Sequence, residues 1–166
     1  MSVGSADFHK AIVNVWEATN LEWEHKQLWT EAERAEDSAL LEQGQDRRGI
    51  PFPYTVAEGP AQRVVTRMSG ATTTSKYHTR GQPWVFRVYA KESGSKTAKQ
   101  IAADIAEKIM MAYGGHPTEA PHELTLDNGS VHYMQYQTDY PVAEDDDIYQ
   151  HVVSYEALLD VPVEVG

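Results

Sequence analysis

Histidines and carboxylates are the side chains in this chain that could bind a metal or move a proton. His116, His122 and His132, with Glu123 beside the second, come nearest to a ligand set. Their spacing matches no compact motif such as HExxH, and His116 and His122 each adjoin a proline in a loop-like stretch. Surface histidines are the expectation. Glu144-Asp145-Asp146-Asp147 resembles a calcium-binding run but lacks the alternating ligands and central glycine of an EF-hand loop, so a solvated loop is expected. Ser69-Gly70 and Gly114-Gly115 fit neither GxxxxGK[ST] nor GxGxxG, which leaves phosphate cradling unsupported. There is no GxSxG and no Ser, His and Asp set with recognisable context. With no cysteine, disulfides, zinc-thiolate sites and cysteine nucleophiles are excluded. No catalytic residue, metal ligand or cofactor is expected.

Composition narrows the class further. A chain of 166 residues is long enough for a genuine core, and one domain spanning 1–166 is the expectation. Four tryptophans and 41% hydrophobic residues favour a folded chain. No apolar run approaches the roughly 20 residues that cross a bilayer, so no membrane partner is expected. The formal charge is −11, which disfavours specific nucleic-acid binding, because that needs several cationic contacts to phosphate.

The elements are organised around Trp84 to Gly115. Trp84-Val85-Phe86-Arg87-Val88-Tyr89-Ala90 is aromatic and β-branched and reads as a strand, with Trp84, Phe86, Val88 and Ala90 on the core side. Thr97 and Gln100 match a capping box. Beyond it Ile101, Ile105 and Ile109 recur every four residues, and Gly114-Gly115 ends the helix. Met110 and Met111 fall off the isoleucine face. They cover the rim of the sheet or mark a protein contact.

Upstream, Asp7 is placed to cap a first helix whose face is Phe8, Ala11, Ile12, Val15 and Trp16. Leu21 to Glu24 alternates like a short strand or extended link. Thr30 to Gln43 is helix-like, with a second capping-box match at its start. Ile50 to Ala57 turns strand-like after two prolines, and Ala61 to Met68 alternates as a strand. Ser69 to Gln82 is polar and has no aliphatic residue, which predicts a long loop. Downstream, Asp127-Asn128-Gly129-Ser130 signals a hairpin between Leu124–Leu126 and Val131–Thr138. Asp139 to Asp147 reads as an acidic loop, and Tyr149 to Leu159 as the last strand. The fold class expected is α+β, a mainly antiparallel sheet of about five to six strands packed against two helices.

Taken together, this order resembles a known family. After the first helix come "PFPYTVAE" (Pro51 to Glu58), the strand "WVFRVYAK" (Trp84 to Lys91), the helix "TAKQIAADIAEKIM" (Thr97 to Met110), an Asn-Gly turn and "IYQHVVSYEALL" (Ile148 to Leu159). The pattern is similar to the small tail-terminator, or tail-completion, proteins of long-tailed bacteriophages. The resemblance implies a non-enzymatic α+β virion protein that forms hexameric rings at the head-proximal end of the tail tube, made in the host bacterial cytoplasm. Its partners would be other copies of itself, the tail tube protein and a head-completion or neck protein, with DNA passing through the ring. Another head-tail connector, a generic binding module or a small metal-dependent enzyme using the His-rich loops are the alternatives.

A ring built from chains of charge −11 repels itself unless its interfaces join opposite charges or keep like charges apart. Basic side chains gather near Arg63, Arg67, Lys76 and Arg80, and the densest acid is Glu144, Asp145, Asp146 and Asp147. Arg67, Lys76, Tyr77, His78 and Arg80 are therefore expected to approach the acidic run of a neighbouring copy.

Overall fold

The computed structural model describes residues 3–19, 28–30, 52–59, 63–64, 77–92, 94–127, 129–143 and 148–162. Its elements in chain order are α1 (Val3–Ala18), β1 (Leu28–Thr30), β2 (Tyr54–Glu58), β3 (Arg63–Val64), β4 (Tyr77–Lys91), α2 (Ala98–Tyr113), β5 (Ser130–Ala143) and β6 (Ile148–Pro162). The strands form one sheet in the order β1-β2-β4-β6-β5, with β3 also paired to β4. Every pairing is antiparallel except β1 with β2. The two helices pack on this sheet, giving the α+β fold that the sequence predicts.

β4 and β6 are the spine. They pair along their whole length, from Tyr77 opposite Pro162 to Lys91 opposite Ile148. One face of this ladder carries Trp84, Phe86, Val88 and Ala90 from β4 with Val153, Tyr155, Ala157 and Leu159 from β6, all buried. α2 lays Ile101, Ile105 and Ile109 on that face, at 8%, 2% and 0% exposure. Its start is the predicted capping box: the Gln100 N–H donates to Thr97 Oγ1 at 3.2 Å, and the Thr97 N–H to Gln100 Oε1 at 3.1 Å. α1 adds Phe8, Ile12 and Trp16, with the Trp16 and Phe86 rings stacked at 6.2 Å. The Tyr113 hydroxyl donates to Ile12 O at 2.7 Å and ties the helices together. On the opposite sheet face Tyr54, Val56, Tyr89 and Ile148 form a second buried cluster, so β2 is buried on both sides.

Several expectations are corrected. Asp7 is not a cap, because α1 begins four residues earlier, at Val3. Thr30 belongs to β1 rather than to a helix N-terminus; the rest of 31–43, like Leu21 to Glu24, lies outside the described residues. Tyr77 to Gln82 is not loop but the first part of β4. Its order comes from backbone pairing with β6, which a count of aliphatic side chains misses. Pro83 is tolerated mid-strand where, among the described residues, β4 has no second neighbour, since β3 pairs as far as Gly81 and β2 ends opposite Val85. Residues 69–76 lie outside the described residues. Leu124 to Leu126 forms no strand; Leu126 instead buries its side chain in the core, while β5 pairs with β6. Asp139 to Ala143 is likewise strand, the second half of β5.

Candidate interaction surface

Two register shifts shape β5, one between Val131 and Tyr133 and one between Tyr136 and Thr138. A bulge inserts an unpaired residue and turns the following side chains to the other face. The second shift therefore brings both Tyr136 and Asp139 to the helix-bearing face, where an unbroken alternation would have separated them.

There they meet β6. The Tyr136 hydroxyl donates to Asp139 Oδ1, and His151 Nε2 lies 2.8 Å from Asp139 Oδ2. Tyr155 packs edge-on to Tyr136 at 6.1 Å, and its hydroxyl donates to Gly114 O at 2.7 Å. The sheet edge, its neighbouring strand and the end of α2 are thus joined by two sets of hydrogen bonds and the ring contact between them. Close packing completes it. Gly115 has φ +103, and a Cβ added there would come within 2.6 Å of the Tyr136 ring. Both its backbone and its neighbour require glycine.

The electrostatics fit a clasp. Burial pushes the Asp139 carboxyl up, but the hydrogen bonds from Tyr136 and His151 and the electrostatic influence of His151 outweigh it and hold the carboxyl below its ordinary range. The hydrogen bond to Asp139 is the main cause that raises the Tyr136 phenol to about 12. A phenol held protonated that firmly is no nucleophile at neutral pH. His116 has a local task as well: its Nδ1 accepts the Thr118 N–H at 3.2 Å, and its Nε2 lies 3.4 Å from Glu107. Among the described residues no three His, Asp or Glu side chains gather as a metal set, and no helix is long and apolar enough to cross a membrane.

The clasp holds an edge. β5 pairs with β6 on one side only, among the described residues. The large apolar side chains exposed among those residues are Met111 at 37%, Tyr133 at 47% and Tyr140 at 44%. Two belong to β5, and the third to the last turn of α2. Gly114 and Gly115 lie directly against Met134 and Tyr136, so this helix end adjoins the middle of the strand.

No protein-family model matches this sequence, and no curated protein matches it. Among solved structures, a chain of the "Virion of native gene transfer agent (GTA) particle" is similar, with TM-score 0.47 and 13% identity, covering 92% of this chain and 97% of that one.

Of the residues predicted to meet a neighbour, Tyr77, His78 and Arg80 fall at the start of β4, with backbones opposite Pro162, Val161 and Leu159. Arg67, Lys76 and Glu144 to Asp147 lie outside the described residues. Ala143 and Ile148, which flank the acidic run, sit at the far end of the β4–β6 ladder from Tyr77. Fourteen steps of strand separate the two ends, on the order of 45 Å. Sequence reasoning missed Tyr136, Asp139 and His151 altogether. The bulge that brings them together leaves no composition signal, and Asp139 looks like the start of an acidic loop.

Proposed function

We propose that this chain is a structural virion protein that forms a hexameric ring, caps the tail tube of a long-tailed bacteriophage or prophage particle, and joins it to the head–neck complex. The observation that carries the reading is where the resembling segments fall. Trp84–Lys91, Thr97–Met110 and Ile148–Leu159, with the Tyr54–Glu58 part of the first segment, lie on β4, α2, β6 and β2, which form the central sheet and the helix laid on it. The unit that resembles the tail-terminator pattern is thus the unit that folds together. Net charge adds support. A ring of chains at −11 repels phosphate and lets DNA pass without trapping it.

The partners proposed are further copies, the tail tube protein and a neck protein, and the role is non-enzymatic. The charged contact proposed joins residues 76–80 of one copy to residues 144–147 of its neighbour. Electron microscopy of particles made with and without this chain tests the reading. The expected result is that particles lacking it show unjoined heads and tails, or tails of uncontrolled length, and that labelled chain marks the tail–head junction. Normal, joined particles in its absence would overturn it.

A further inference from the structure

We propose that residues 31–51 of this chain cover the sheet face opposite the helices, packing on the cluster around Tyr54 and Tyr89. Burial gives the first observation. Tyr54, Val56, Tyr89 and Ile148 are 2%, 0%, 2% and 8% exposed on that face, and Phe52 packs against them. Neither helix contributes a residue to the cluster, so the layer above it is neither α1 nor α2. Side chains on one face of a sheet reach such burial only beneath another layer. The cover is one-sided. On the same face Tyr140 stands opposite Val152 and Tyr133 opposite Leu158, and these two tyrosines are 44% and 47% exposed. The β2 side is therefore covered and the β5 side open.

Chain topology names the layer. β1 and β2 are parallel neighbours, so the chain between them must cross over one face of the sheet to reach the start of β2. β4 and β5 are parallel too, since both run antiparallel to β6, and α2 makes their crossover on the helix-bearing face. Both crossovers step the same way along the order β1-β2-β4-β6-β5, but β2 runs antiparallel to β4. Crossovers between parallel strands are almost always right-handed. Two crossovers of one hand that step the same way from strands of opposite direction lie on opposite faces. With α2 on one face, the β1–β2 crossover takes the other, on the side where the Tyr54 cluster is buried.

The sequence of the crossover suits that face. Ala32, Ala35, Ala39 and Leu40 fall on one narrow stripe at helical spacing. Three of the four are small, which lets a helix backbone come close to the Tyr54 and Tyr89 rings, stacked at 4.9 Å. As a helix, residues 31–43 span about 20 Å, close to the roughly 17 Å of the five-residue β2 beneath. Charge agrees as well. Glu36 is the one charged residue within the stripe, and Arg87 and Lys91 flank Tyr89 on the same face of β4. The occupant is this chain's own, because its crossover has to pass over the sheet whether or not copies meet.

The inference concerns a single copy and stands or falls apart from the ring reading. Nuclear Overhauser contacts in the isotope-labelled full chain test it, and a mixture of labelled and unlabelled chain separates contacts within a copy from contacts between copies. Methyl groups of Ala35, Ala39 or Leu40 are expected to contact the rings of Tyr54 or Tyr89 within one copy. Contacts from those methyls to Phe8 or Trp16 would instead place the crossover on the helix face and overturn it. Tyrosine rings that meet only another segment or another copy overturn it too, as do methyls with no long-range contact. Urea denaturation gives a second readout. Leu40→Asp sets a carboxylate against the buried cluster and should lower the midpoint, whereas Glu33→Lys, on the far side of the stripe, should leave it near the parent's. A midpoint that Leu40→Asp does not move overturns the proposal.

Discussion

Asp139 shows how one residue's surroundings set its task. Its carboxylate is held below its ordinary range in the folded chain, so the unfolded chain takes up a proton first as the pH falls. The stability it contributes is therefore present above its unfolded value of 3.8 and is lost as the pH drops through the lower, folded value. Urea midpoints of the parent and of Asp139→Asn should differ at pH 7 and converge in that acid window. A gap that persists into strong acid would show that the carboxylate's charge is not what matters. Tyr136→Phe removes one hydrogen bond to this partly exposed carboxylate and is expected to cost about 1 kcal/mol at neutral pH. Gly115 stands beside this clasp. Gly115→Ala combines a positive φ with a Cβ pressed against the Tyr136 ring, and an expected loss of about 1–3 kcal/mol follows. Unchanged stability in that variant would mean that the Tyr136 ring moves freely, and the clasp with it.

At the scale of elements, the packing of α2 on β4 and β6 dominates. Ile105 sits at the centre of its buried stripe, amid a core that includes Phe86 and Val88. Ile105→Ala leaves a cavity there, and a cost of about 2–5 kcal/mol is expected. Chemical denaturation measures it, and an unshifted midpoint would contradict the packing. β4 makes a different case. Its first residues are polar, and Gln82 is nevertheless buried, its side-chain amide donating to Pro83 O at 2.8 Å. Backbone pairing with β6 holds this part of the strand, so the amides of Gly81 and Gln82 should exchange slowly, in step with that partner. Rapid exchange there would return the segment to the loop that its composition suggests.

At the scale of the whole molecule, the proposed ring turns on charge. Its charged rim would join residues 76–80 of one copy to residues 144–147 of the next. Reversing Lys76 and Arg80 to Glu should then reduce the assembled fraction at low salt, read by light scattering. Raising the salt should weaken the parent's rim as well, because exposed charges are screened over about 8–10 Å at physiological ionic strength. A double reversal that assembles like the parent would remove the rim.

Periodicity and capping chemistry act over a few residues, and those parts of the fold were legible in the sequence. The isoleucine stripe, the Thr97–Gln100 box, the glycine stop and the alternation of Trp84 to Ala90 and Val153 to Leu159 each carry their own local cause. Pairing across the chain does not. Whether Tyr77 to Gln82 becomes strand depends on β6, some eighty residues away, offering a backbone to pair with. The Asn128-Gly129 signal promised a hairpin, but Leu124 to Leu126 forms no strand and Leu126 is buried in the core instead. The clasp was hidden for the same reason. Tyr136, Asp139 and His151 meet only because a bulge changes the facing of β5 against β6, and that is a property of two strands in register rather than of either one.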